Sequence, residues 1–511
     1  MRWLSTLAGH RKEAGLALTL GLLAALIVIL GASAPSIYAL ALLGAALGPA
    51  VLYVVGNPRL FFLVGTVFTA AFGLSINFMR QTHIGGAPSF AIDLVDFFLL
   101  PLLAFQIRDR IEGRMPAAQW SLADLLWWCL ILLGGLTVLV GPFRTFAAYE
   151  VVRMVKCWVL FHVVASELVR ERQFRWMLLA LSAGVVVNVV VAMVQFALKR
   201  ELGLQALGEP ASDAVAGANY GVYLSAGSVY RVSGLMGHPN LLGAYLALLL
   251  PILLTALFTP LRTGARVLLA IATCGGGLAL LLTLSRSAWL AFAVALAFVV
   301  LALVLRPEWT RRQPLLKGAL FAALPVGALL AAPTILKRIG ASDIGALDFR
   351  RQWVDIAYQM IGDKPLFGHG LNAFRLHILE YAPYGNARMT DLFGPIWPVV
   401  HNAWMLVWAE QGTLGFAFYV GLHAYLLVVA ARNLRHRLSA TVAMANLGAL
   451  CGLLALMVDG FASFFVRVPA PSRVFWIVMA VIIAADRWNR RNAALRPPGS
   501  ADQPVPNSRP A

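Results

Sequence analysis

Apolar residues in this chain run in blocks of about twenty, the length a helix needs to cross a hydrocarbon core, and short polar clusters separate the blocks. The blocks predict helical spans near 14–33, 36–56, 58–78, 91–107, 121–141, 145–169, 175–198, 240–259, 264–284, 286–306, 315–333, 412–431, 440–461 and 472–487. Lipid offers the backbone no hydrogen-bond partner, so each span is expected to be α-helical. The first block, Ala14–Gly31, follows Arg2, Arg11 and Lys12 and precedes "ASA", a signal-peptidase-like sequence. Its apolar core exceeds an ordinary signal sequence, so it reads as an uncleaved first span.

Phase follows from the loops. The basic clusters at 108–114, 170–175, 262–266, 306–317, 432–437 and 486–491 all fall on one side of the alternation. The positive-inside rule makes that side cytoplasmic and puts both termini there. Two longer connections, 199–240 and 337–400, then face the opposite side; their Trp, Phe, Tyr, Pro and Gly content predicts ordered loops. The expected organisation is an N-terminal bundle (1–198), a loop (199–239), further spans (240–333), a large loop (334–400), a helix with the last spans (401–487) and a disordered cytoplasmic tail (488–511).

Composition agrees with this picture: 60% of residues are hydrophobic and 13% charged. The net charge of +18 arises mainly in the loops, so it reads as topology and implies no nucleic-acid partner. Cys129, Cys157, Cys274 and Cys451 lie inside apolar blocks without metal-ligand spacing and read as small core residues. There is no phosphate loop, internal repeat or acidic DxD motif.

Ionisable groups near spans carry the functional signal, because they are costly in lipid. Arg231, Arg286, Arg350, Arg351 and His401 gather on the side opposite the basic loops. Guanidinium groups match phosphate oxygens, which suits a lipid diphosphate. Positive charge around a histidine keeps its imidazole neutral and able to take a proton from a hydroxyl. Glycosyl transfer from a lipid diphosphate, without a metal, fits these residues. A transporter or flippase of lipid-linked oligosaccharide is the other reading, and it expects polar residues at the midplane.

Within "YEVVRMVKCW", Glu150, Arg153 and Lys156 follow one helical face; they either neutralise one another or help bind a donor. Asp93, Asp96 and Asp459 read as partners for cations, and His238, His369 and His377 as loop residues. In "HNAWMLVWAEQGTLG", His401 and Glu410 lie on opposite sides of a helix, which excludes an HExxH zinc site.

Four blocks, "RVSGLMGHPNLLGAYLALLLP", "LTLSRSAWLAF", "RRQWVDIAYQMIGDKPLFGHGLNAF" and "HNAWMLVWAEQGTLGF", resemble the O-antigen ligase and polymerase superfamily of bacterial envelope glycosyltransferases. The resemblance covers about residues 225–430 and keeps the blocks in order. It implies an all-α polytopic fold of about 12–14 transmembrane helices, GT-C-like, with two long periplasmic loops. It also implies a cofactor-free, metal-independent, inverting glycosyltransferase of the bacterial inner membrane, acting at the periplasmic face. The donor would be a glycan on undecaprenyl diphosphate, and the acceptor lipid A-core or another glycan. His401 matches the proposed general base, and Arg286 and Arg351 match the family's arginines. Arg231, Arg350, Arg153, Lys156 and Asn402 complete the residues expected to contact substrate. Glu410, Gly412 and Gly415 are expected to shape a break between a short helix and the following span.

Overall fold

The computed structural model describes residues 57–83, 85–116, 118–210, 222–224, 227–311, 313–340, 346–382, 399–436 and 438–494. The expected spans 14–33 and 36–56 lie outside the described residues. The chain divides into two units, Met1–Gly65 and Thr66–Ala511. Helix α1 (Pro58–Thr69) opens on Asn57, whose side-chain oxygen accepts the Leu60 amide at 3.0 Å.

The second unit is an all-α polytopic membrane bundle. Its helices are α2 (Leu94–Ile111), α3 (Leu122–Val140), α4 (Arg144–Glu167), α5 (Glu171–Leu198), α6 (Pro239–Ala256), α7 (Thr263–Leu282) and α8 (Arg286–Leu305). They continue with α9 (Pro314–Gly340), α10 (Ala346–Asp363), α11 (Phe374–Tyr381), α12 (Ala403–Asn433), α13 (Ala440–Asp459) and α14 (Pro469–Ala494). Nine helices among the described residues are long and apolar enough to cross a membrane. Two antiparallel hairpins interrupt the helices, β1 (Ser75–Phe78) with β2 (Phe90–Asp93), and β3 (Val222–Leu224) with β4 (Gly227–Val229).

The expected span 58–78 is corrected by the first hairpin. The helix stops at Thr69, the chain bends at Phe72, and Ser75–Phe78 pairs with Phe90–Asp93. The Gly73 amide donates to the Leu207 carbonyl at 2.9 Å, and an added Cβ would come within 2.9 Å of Gly208 Cα. The expected tail from residue 488 is also corrected in its first turn, because α14 runs to Ala494. Arg490 pairs with Asp486 one turn earlier at 2.9 Å, and Asn489 donates to Asn433 Oδ1 at 3.2 Å. From residue 495 the expected tail lies outside the described residues.

Helices α6 and α14 are the most enclosed of the apolar helices. Gly448 and Gly452 of α13 bring its backbone against α6: an added Cβ would lie 2.4 Å from Ile252 Cα or 2.3 Å from the Leu248 carbonyl oxygen. This spacing of small residues allows close packing where lipid supplies no hydrophobic drive between helices. Around this centre α5, α7 and α8 pack on one side, and α3, α4 and α12 on the other.

Candidate functional site

The site forms where the turn between α7 and α8 meets three loops. Leu284 in that turn has a left-handed backbone, φ 51°, which costs a non-glycine residue of order 1–3 kcal/mol. Two arginines hold its carbonyls. Arg231 donates from Nε to the Thr283 carbonyl at 2.8 Å, and Arg338, at the end of α9, donates from Nε to the Leu284 carbonyl at 3.2 Å. Arg286 follows as the first residue of α8 and is half-buried.

Arg231 also donates to Asn240 Oδ1 at 2.5 Å, closing the loop that leads into α6. Side chains of α5 fix that loop from below. Gln195 Oε1 accepts the Gly234 amide at 2.9 Å, and Asn188 Oδ1 accepts the Leu235 amide at 3.0 Å. Arg231 is thus partly committed to framing the turn.

His401 sits between rings: Trp353 stacks on it at 5.1 Å with 16° between planes, and Phe464 meets it edge-on at 5.2 Å. Its Nδ1 lies 3.1 Å from the Val399 carbonyl. A carbonyl only accepts, so this contact assigns the proton to Nδ1 and leaves the Nε2 lone pair available. Burial first, and Arg350 second, depress its pKa to about 4. His238 lies in the same field, beside Arg231, His401 and Arg350, and is lowered to about 3, again chiefly by burial. Its Nδ1 accepts the Asn240 amide at 3.1 Å as the cap of α6.

Several expected site residues are elsewhere or otherwise engaged. Arg351 is exposed, and its neighbour Arg350 is the one whose charge reaches His401. Asn402 caps α12: its Oδ1 accepts the amides of Trp404 and Met405 at 3.0 and 3.1 Å. Arg153 is bound by Glu150 at 2.9 Å and donates to Ser472 Oγ at 2.8 Å. Lys156 reaches Asp93 at 2.5 Å and Asp96 at 2.7 Å. Arg153 and Lys156 thus pair with internal carboxylates. Asp459 departs from its expected pairing in the opposite sense: buried at 1% exposure, it forms no ion pair among the described residues.

The break in α12 is at Gly412, with φ 65° and ψ −171°. Segment 363–370 docks there. The amides of His369 and Gly370 donate to the carbonyls of Ala409 and Glu410, both at 2.9 Å, and the Thr413 amide donates to the Pro365 carbonyl at 2.7 Å. Freed backbone groups are thereby satisfied by backbone, while the Glu410 carboxylate accepts the Phe374 amide at 3.1 Å. Gly415 makes room for Gln411, whose Cβ would lie 2.3 Å from an added Cβ.

Behind the break lies a buried network. Arg467 donates to Glu150 at 2.8 Å and to Glu410, and Glu150 binds Arg153. Arg467 stands three residues after Phe464, so the loop 460–468 ties this network to the ring that packs on His401. Two carboxylates balance two guanidinium groups, which is the condition for burying them at all.

Sequence reading missed Arg338, His238 as a neighbour of the histidine, Trp353, Phe464 and Arg467. Trp353 alone had a local signal, standing three residues after Arg350 on one helical face. Residues 270–420 match the O-antigen ligase family, a stretch that takes in Arg286, Arg350 and His401. No curated protein matches the chain.

Proposed function

Because this membrane protein carries an O-antigen ligase domain, we propose that it transfers a glycan from undecaprenyl diphosphate to a sugar hydroxyl in surface-polysaccharide ligation or polymerisation. The observation that carries this reading is His401, neutral, with Nε2 available, beside Arg350 and near the arginine-braced turn.

In this mechanism His401 Nε2 takes the proton of the acceptor hydroxyl as its oxygen attacks the anomeric carbon. The bond from that carbon to the diphosphate oxygen breaks, and undecaprenyl diphosphate leaves with the electron pair. Arg350 and Arg286 stabilise the charge on the departing diphosphate, with Arg231 and Arg338 fixing the turn that presents Arg286. A single displacement inverts the anomeric centre. The chemistry runs without a metal.

The basic clusters at 262–266, 306–317 and 432–437 sit at the helix ends opposite the Arg286 turn, which supports a periplasmic site in the inner membrane. The test is transfer by purified protein in lipid with EDTA, given undecaprenyl-diphosphate oligosaccharide. Products lengthening on the carrier identify a polymerase; product requiring lipid A-core identifies a ligase. Absence of product with both acceptors rejects the enzyme and favours movement of the lipid-linked glycan.

A further inference from the structure

Asp459 is a buried carboxylate that the mechanism does not use. Asp459 ends α13, is 1% exposed, and neither carboxylate oxygen closes a hydrogen bond of normal geometry among the described residues. The hydroxyls of Ser287, next to Arg286, and Ser463, in the loop 460–468, face its carboxylate, and Arg350 adds positive charge. A buried carboxylate without a close ion pair is expensive, and an oxygen without a donor more so. Such a group is retained where a donor arrives from outside.

The chemistry of the carboxylate selects the donor. It accepts hydrogen bonds only, and it repels phosphate. Asp459 therefore suits an uncharged, hydroxyl-bearing group rather than diphosphate. Its surroundings choose the side. Ser463 precedes Phe464, which packs on His401, and the Ala403 amide, two residues after His401, donates to the carbonyls of Gly460 and Ser463 at 2.7 and 3.0 Å. The segments that carry Asp459 and His401 are therefore held together, on the side where the attacking hydroxyl must meet the histidine.

We propose that Asp459, assisted by the hydroxyls of Ser287 and Ser463, binds a hydroxyl of the acceptor sugar adjacent to the one His401 deprotonates. This rests on the glycosyl-transfer reading above. A hydrogen bond to a charged group contributes about 1.5–3 kcal/mol, so its loss weakens binding by about tenfold or more.

The experiment measures transfer by the full chain in nanodiscs, varying acceptor and donor separately, for wild type, Asp459→Asn and Ser463→Ala. The acceptor probe is whichever of lipid A-core or lipid-linked oligosaccharide the wild type extends. Asp459→Asn is expected to raise acceptor KM about tenfold or more, with donor KM unchanged and kcat within about threefold, and Ser463→Ala to raise acceptor KM less. A thermal shift with undecaprenyl diphosphate, retained in both variants, verifies that they fold. Unchanged acceptor KM, a raised donor KM, or loss of transfer by a variant that still binds undecaprenyl diphosphate overturns the assignment. If Asp459→Asn does not fold, Ser463→Ala decides by the same readings. A wild type that makes no product contradicts the transferase reading itself.

Discussion

Arg350 and Arg351 are adjacent in sequence and opposite in consequence. Arg350 shares a helical face with the buried Trp353, Ala357 and Met360, while Arg351 faces outward with exposed Tyr358. The period of α10 therefore held the answer, since positions three and seven residues on mark the packed side. The family match alone did not separate the two. Arg350→Ala is expected to reduce transfer by about 10²-fold or more, whereas Arg351→Ala changes it little; kcat/KM for the two variants checks this. The histidine predicts a pH dependence. With His401 as the proposed base, the active form is the neutral imidazole, whose pKa is lowered to about 4, so the acid limb of kcat/KM falls near pH 4 instead of near 6.5. Stability follows the same sign: the unfolded chain takes up protons more readily at His238 and His401. Stability is full above about pH 6.5 and declines as pH falls toward about 4 and then about 3. Melting temperature followed from pH 7 to pH 4 checks it.

At the scale of elements, the break in α12 was legible and its partner was not. Gly412 announced a departure from helix geometry, and "FGHG" announced a turn, but nothing local says that the turn docks on the break. The docking is close at both ends: an added Cβ at Gly412 would sit 2.2 Å from the Leu366 carbonyl oxygen, and one at Gly368 2.5 Å from that of Glu410. Both residues also have positive φ. Gly412→Ala and Gly368→Ala are each expected to destabilise by several kcal/mol, read as loss of folded protein by size-exclusion chromatography. Gly264, with open space around it, is the control expected to tolerate alanine. The hairpin Ser75–Phe78 was hidden for a different reason. Its alternation of polar and apolar positions is only four residues long and sits at the end of an apolar block, so a span-length window absorbed it.

Across the whole molecule, Arg467 is the residue on which separate parts converge. It joins Glu150 of α4 and Glu410 of α12 from the loop between α13 and α14. Glu150 and Arg153 were readable as a pair on one helix; a partner 317 positions away in sequence was not. Removing the shared cation leaves two buried carboxylates underpaired, so Arg467→Met is expected to cost about 3–5 kcal/mol, checked by thermal unfolding in detergent. Polytopic architecture, by contrast, was visible in the blocks themselves, because lipid constrains length and composition wherever a helix crosses it.

The proposed mechanism stands or falls with His401 as the base of a glycosyl transfer. Its most direct test is the rate of product formation by purified wild type and His401→Ala, each saturated with undecaprenyl-diphosphate oligosaccharide and the acceptor that wild type uses. With His401 as the base, the variant is expected to bind the donor as wild type does and to lose about 10²–10⁴-fold in rate. A His401→Ala protein that transfers as fast as wild type contradicts it.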